Sequence, residues 1–236
     1  MKAIVLTAGT GLDAASPADA LPTPLLPIQG EPLLVHTLRW LKRYSVGDVA
    51  IDFHYRAEGI EDTIDDGSAL GLNVVYAVEA QGTARALKQI EPFFDDTFVV
   101  VHSHLLLDGD LAALLDYHRS RRALVTIGLK HTAEPQAERM VECEAGGRVL
   151  RFVQHPATWL SEQRTAAIGL YIAEPAVLDH IPTDRPFDWE DHLLPLLVAR
   201  GEAVFGQILD GPVLDIGRSG VYDRVKDAGL AAAGEI

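Results

Sequence analysis

Two groups of residues in this sequence have types and spacings that could do chemistry. Gly9-Thr10-Gly11-Leu12-Asp13-Ala14 follows a short apolar run and fits the G-x-G-x-x-A spacing of a turn that cradles a dinucleotide pyrophosphate. That chemistry needs a helix to begin at the loop, so that its first N–H groups point at the phosphates. Pro17, Pro22, Pro24 and Pro27 follow instead, and prolines at those spacings cannot lie in one continuous helix. The dinucleotide reading therefore fails, and by residue type alone the loop is a strand-ending turn. The second group is His102-Ser103-His104, which closes another apolar run. Side chains two apart in a strand point to one face, so both imidazoles are offered together.

The elements that must hold these groups are legible as a pattern. Ala3 to Leu6, Val49 to Phe53, Asn73 to Tyr76, Phe98 to Val101, Leu124 to Leu129 and Gly169 to Ile172 are short runs rich in Val and Ile and read as strands. Pro32 to Tyr44 and Asp110 to Ser120 carry apolar residues at helical spacing, and Gly82-Thr83-Ala84 opens a further helix through Leu87. This alternation predicts an α/β fold, a Rossmann-like and mainly parallel mixed sheet flanked by helices. Arg139 to Val153 predicts a small β-hairpin excursion turning at Glu144-Ala145-Gly146-Gly147. With no linker, repeat or low-complexity segment, residues 1–236 are expected to form a single domain.

Composition narrows the function classes. The formal charge of −14 argues against nucleic acid as a partner, since phosphate backbones are met by clustered Lys and Arg. A hydrophobic share of 48% with 23% charged residues is that of a globular chain, with no apolar run long enough to cross a bilayer. Cys143, the single cysteine, cannot form an internal disulfide, and Met1 to Leu6 runs into glycines without a long apolar core. A soluble protein of the reducing cytoplasm is the expectation, with no membrane partner.

A longer series of segments points to a family. Leu6-Thr7-Ala8-Gly9-Thr10-Gly11, Pro22-Thr23-Pro24-Leu25-Leu26-Pro27-Ile28 and Gly30-Glu31-Pro32-Leu33-Leu34 are followed by Ile51-Asp52-Phe53-His54-Tyr55, Asp66-Gly67-Ser68 and Gly82-Thr83-Ala84. Gly147 to Val153, Phe187-Asp188-Trp189-Glu190 and Leu214-Asp215-Ile216-Gly217 complete the series. In order and spacing these resemble the sugar-1-phosphate nucleotidylyltransferases, whose opening reads L-A-A-G-x-G-T-R and then P-K-P-L-L-P-V. The resemblance covers nearly the whole chain and implies a nucleotide-diphospho-sugar transferase-like fold. It also implies a reaction in which a sugar phosphate attacks the α-phosphate of a nucleoside triphosphate and pyrophosphate leaves.

Such transfer depends on cations around the developing charge and on a divalent ion held by carboxylates. Several of the positions the resemblance assigns to these roles carry other residues here. The triphosphate-gripping arginine falls on Asp13, where an anion would repel a polyphosphate, and the lysine of P-K-P falls on Thr23. A magnesium aspartate falls on His104, and the lysine that contacts the sugar phosphate falls on His155. Asp215 matches the second magnesium carboxylate and remains as a remnant. Ala8, Gly9, Gly11, Gly82 and Thr83 match the nucleotide-binding segments, which approach base and ribose mainly through backbone groups. His155, Gly169 and Glu190 fall on the sugar-phosphate side. Arg85 and Arg218 stand where the family has small or neutral residues, and either is a replacement cation or a solvated arginine.

Three functions follow. The first is a catalytically impaired member, a pseudoenzyme of nucleotide-sugar metabolism that binds a nucleotide, a sugar phosphate, a protein partner or a second copy of itself. The second is an active nucleotidylyltransferase with a rearranged site. The third is a metal-dependent enzyme of changed chemistry built on His102, His104 and Asp215, whose imidazole and carboxylate donors suit zinc better than Mg²⁺.

Overall fold

The computed structural model describes residues 1–7, 21–53, 59–78, 81–218 and 220–231. Ala8, Gly9, Gly11 and Asp13 lie outside the described residues. The chain opens with β1 (Lys2–Leu6), a 3-10 turn at Thr23–Leu25, the short strands β2 (Pro27–Ile28) and β3 (Glu31–Pro32), and α1 (Leu33–Arg43). Then come β4 (Asp48–Phe53), α2 (Ile60–Ile64), β5 (Asn73–Val78), α3 (Thr83–Gln89), β6 (Phe98–His102) and β7 (Leu105–Leu107). These are followed by α4 (Leu111–Arg121), β8 (Val125–His131), β9 (Arg139–Cys143), β10 (Val149–Gln154) and β11 (Thr165–Ala173). A π-helical turn at Trp189–Leu193 leads into α5 (Leu194–Ala199), β12 (Val204–Ile208), β13 (Val213–Asp215) and α6 (Val221–Val225). Every strand and helix expected from the sequence is present, and the chain divides into two compact units.

The first unit comprises Met1–Glu79, Val101–Gly109 and Gly211–Ile236. Its sheet is parallel, with β4 between β1 and β5. Residues 3–6 of β1 are fully or almost fully buried, which accounts for the unbroken apolar run. In α1 the positions Leu33, Leu34, Leu38 and Leu41 are buried, while Arg39, Lys42 and Arg43 mark the solvent face. The helix is tied to the segment after β6 by polar contacts. Thr37 Oγ1 donates to Leu105 O at 3.3 Å, and Trp40 Nε1 and Tyr44 Oη each donate to Gly109 O at 3.1 Å.

A second pairing in this unit was not expected from sequence. β7 and β13 run antiparallel with Leu106 opposite Leu214 and Leu105 opposite Asp215. One side of the pair is covered by a cluster of Ile28, Leu33, Leu106, Leu214, Ile216, Val221 and Val225. The two strands are only three residues each. Burial of these side chains at about 25 cal/mol per Å² of apolar surface therefore does most to hold them.

The second unit comprises Ala80–Val100 and Asp110–Asp210. Its strands pair mainly antiparallel: β11 pairs with β8 and with β9, and β9 pairs with β10 in the expected hairpin. β12 adds to β8 in parallel. Helix α4 packs on β8, β11 and β12, and α5 packs on β10. Asp110 caps α4 by accepting from Ala113 N at 3.1 Å, and Arg119 and Arg121 stand in its last turn, where the helix dipole favours cations. His118, which the sequence offered no partner for, is buried. Its Nδ1 lies 2.8 Å from Thr126 Oγ1 and its Nε2 lies 3.0 Å from Glu174 Oε1.

Candidate functional site

The histidines and Asp215 come together at the end of the first unit's sheet. β6 ends at His102, Ser103 N then donates to Leu6 O at 2.9 Å, and the chain turns into β7. The turn keeps His102 buried, while the His104 side chain is 17% exposed. The two rings meet edge to face, with centroids 5.1 Å apart. Pairing of β13 with β7 brings in Asp215: Ile216 N donates to His104 O at 2.9 Å, and His104 Nε2 lies 3.9 Å from Asp215 Oδ1. Asp215 is oriented by its own turn, since Gly217 N donates to Oδ1 at 2.9 Å.

This arrangement bears on metal chemistry. Among the described residues, no three His, Cys, Asp or Glu side chains are grouped so that they could hold an ion. His104 and Asp215 are neighbours, but with His102 they do not form a three-ligand centre. One imidazole and one carboxylate do not fit magnesium, which demands near-octahedral oxygen ligands. Thr23 opens the 3-10 turn, where its carbonyl accepts from Leu26 N at 3.1 Å.

The second unit holds the remaining described candidates. Gly82 and Thr83 begin α3, and the segment 187–189 clasps them. Phe187 N donates to Gln81 O at 2.9 Å, and Arg85 N donates to Phe187 O at 3.2 Å. Thr83 N donates to Asp188 Oδ1 at 3.2 Å, and Trp189 N donates back to Thr83 Oγ1 at 2.9 Å. Gly82 has φ +103°, and a Cβ there would lie 2.8 Å from Phe187 O. Both the conformation and the close backbone approach require glycine. Arg85 is drawn into the same packing, with Nη1 donating to Pro182 O at 2.9 Å.

Glu190 follows this clasp directly and is buried. Its Oε2 lies 2.6 Å from Arg139 Nε, and its Oε1 accepts from the Tyr171 hydroxyl. Burial, with Glu190 adjacent, pushes the Tyr171 hydroxyl well above its ordinary range, so it stays a donor. Gly169 explains how Tyr171 reaches the carboxylate. It has φ +82°, and the β11–β8 register shifts between Ala167 and Tyr171, so a bulge re-aims the strand. His155 lies just past β10, exposed and with φ +40°, and its N donates to Glu138 O at 3.0 Å. Beside it, Gln154 Nε2 donates to Asp191 Oδ1.

Sequence reasoning missed Arg139, Tyr171 and Asp188. Arg139 and Glu190 are brought together only by the strand order, and no local spacing signals the pair. Asp188 gave more warning, because it sits inside the Phe187-Asp188-Trp189-Glu190 segment that carries the resemblance.

Comparison with known proteins bears on the family and the fold. The sequence profile of the family described as Nucleotidyl transferase matches residues 2–226. UTP–glucose-1-phosphate uridylyltransferase of Synechocystis sp. is 31% identical over 234 residues, covering 92% of this chain and 60% of that protein. Mannose-1-phosphate guanylyltransferase of Mycobacterium tuberculosis is 32% identical over 212 residues, covering 88% of this chain and 58% of that protein. The chain thus spans about three fifths of the length of these curated relatives. Among solved structures, a Bacillus anthracis protein in complex with a sucrose superposes with a TM-score of 0.82 at 20% identity, covering 100% of this chain and 96% of that one. HddC from Yersinia pseudotuberculosis complexed with GMP-PN gives 0.78 at 19% identity, covering 96% and 98%. At these identities the structural likeness speaks for the fold.

Proposed function

The chain belongs to the nucleotidyl transferase family, and on that premise we propose that it binds a nucleotide and a sugar phosphate of nucleotide-sugar metabolism but transfers the nucleotidyl group very slowly. The observation that carries this reading is the pairing of Asp215 with an imidazole, His104 Nε2 at 3.9 Å from Oδ1, where the resemblance expects a second magnesium carboxylate. Thr23 in the place of a lysine, and Asp13 in the place of an arginine, support the same conclusion. Removing preorganised charge from a phosphoryl transition state costs about 3–4 kcal/mol per group. Even two such losses slow the reaction by roughly 10⁴-fold or more.

Binding is favoured by residues of the second unit. The Gly82–Thr83 turn is clasped through Phe187, Asp188 and Trp189, a preformed backbone surface of the kind that meets a base and ribose. The sugar-phosphate side is assigned to Glu190, Gly169 and the neighbourhood of His155. A single domain over residues 1–236, a cytoplasmic location, and either a second copy or a protein partner that reads the bound state belong to the same proposal. No described helix is long and apolar enough to cross a membrane.

The test is turnover with UTP, GTP or dTTP paired with glucose 1-phosphate or mannose 1-phosphate in magnesium. Formation of nucleotide sugar is expected to run at least roughly a thousandfold below the ~10 s⁻¹ of ordinary enzymes, while nucleotide binding is retained. Turnover at ordinary rates would establish the active nucleotidylyltransferase reading instead.

A further inference from the structure

Within the second unit, an open cavity of about 270 Å³ lies between the end of α4, the turn that joins β9 to β10, and β12. It shares no lining residue with the Gly82–Thr83 clasp or with the cluster of Arg139, Tyr171 and Glu190. Ordinary ligand pockets run from about 300 to 1,000 Å³, so this one has room for a small metabolite. Close approach of β12 forms one wall, where a Cβ on Gly206 would lie 2.9 Å from the Cys143 sulfur. Burial pushes the Cys143 thiol up to about 11, so it is uncharged at neutral pH. Arg121 is then the one charged side chain of the lining, in a chain of net charge −14. Glu142 and Glu144 stand outside the lining, and Glu142 is paired with Arg151 at 3.3 Å.

Arg121 is oriented by rings and by no carboxylate among the described residues. Its guanidinium carbon lies 5.1 Å from the centroid of the Tyr117 ring and 5.9 Å from that of Phe205. Stacking of this kind fixes the plane of the group while leaving its N–H donors unused. It also removes part of the entropy cost of ordering a long side chain around a ligand. An oriented guanidinium meets a phosphate or a carboxylate with paired donors. The turn on the same cavity adds main-chain donors. Tyr117 Oη donates to Gly146 O at 3.4 Å, tying that turn to α4. Ala145 N and Gly146 N make no hydrogen bond among the described residues, and successive unused N–H groups in a turn favour an anion.

We propose that this cavity is a second ligand site, for a small metabolite carrying a phosphate or carboxylate group, with Arg121 recognising the anion and Tyr117 positioning Arg121. The probes are glycerol 3-phosphate and lactate, one for each kind of anion, with glycerol as the neutral control. Each is titrated into the intact chain by calorimetry and by NMR of the backbone amides. At least one of the two anions is expected to bind in the millimolar range or tighter and to shift the signals of Gly146, Gly147 and Gly206, and glycerol to do neither. Arg121→Gln should weaken that anion at least about fivefold while leaving GTP and UTP affinity within about twofold. Arg119→Gln removes a cation from the same helical turn but outside the lining, and should change neither. Tyr117→Leu should weaken the anion by about twofold or more, since it takes away the ring that orients the guanidinium. If Arg121→Gln does not fold, Arg121→Lys carries the test, with a loss of about twofold or more expected from its unpaired donors. Binding of one anion alone assigns the site to that chemistry. Unchanged anion affinity in a folded Arg121 variant overturns the proposal, as does an equal loss in Arg119→Gln. Binding that leaves the three glycine signals in place, or no binding of either anion at high millimolar concentration, also overturns it.

Discussion

The hydroxyl of Thr83 accepts the main-chain N–H of Trp189 at 2.9 Å, closing a clasp between the start of α3 and the residue before Glu190. Trp189 is fully buried, so this N–H has no water to turn to. Thr83→Val keeps the shape and leaves the donor without a partner, at a cost of about 1–3 kcal/mol. The expected result is a lower Tm together with weaker nucleotide binding. Asp188→Ala should cost about 1 kcal/mol, since it removes the carboxylate that caps α3.

Gly82→Ala should be worse than either. It adds the Cβ contact at 2.8 Å to Phe187 O and forces a side chain into φ +103°. A destabilisation of about 1–3 kcal/mol is expected in denaturant titration, and Gly201→Ala serves as the control, since its φ is +69° and its Cβ meets nothing. Equal effects at both sites would mean that the clasp is not the constraint.

In the first unit, Gly211 stands before β13 with φ +105°, and a Cβ there would lie 2.9 Å from Asp108 O. Gly211→Ala is expected to disturb the β7–β13 pairing that sets His104 beside Asp215. Hydrogen exchange at Asp108 N, which donates to Pro212 O at 3.0 Å, should rise in the variant.

Acid sensitivity should have an identifiable source in His118. Burial lowers its affinity for a proton below the ordinary 6.5, although Glu174 works in the opposite direction. The unfolded chain then binds the proton more readily, so stability is full above about pH 6.5 and falls as pH drops from there through the lower folded value. His118→Gln should flatten the pH dependence of Tm below that point, and an unchanged slope would assign the acid sensitivity elsewhere.

Much of the scaffold was legible because its strands are either continuous apolar runs or plain alternations. Ala3 to Leu6 and Phe98 to Val101 announce themselves by burial on both faces, and Glu144 to Gly147 by turn chemistry. The β7–β13 pair escaped, since Leu105–Leu107 follows His102-Ser103-His104 so closely that no spacing separates a new strand from the old one. Of the site, the sequence placed His104 near Asp215 through resemblance and grouped Gly82, Thr83 and Glu190 by role. It did not foresee that Thr83 is tied to Asp188 and Trp189, or that Glu190 holds Arg139. Those contacts join residues 105, 106 and 51 positions apart, distances set by tertiary packing.

On the proposed function, charge lost at the reacting centre, above all at His104, leaves binding intact and transfer slow. The most direct measurement is single-turnover formation of nucleotide sugar by the intact chain and by His104→Asp, each with saturating triphosphate and sugar phosphate in magnesium. Barely detectable product is expected from the intact chain, with a magnesium-dependent gain of about tenfold or more from His104→Asp, which returns a second carboxylate beside Asp215. Rapid turnover by the intact chain, unchanged or lowered in the variant, would contradict it.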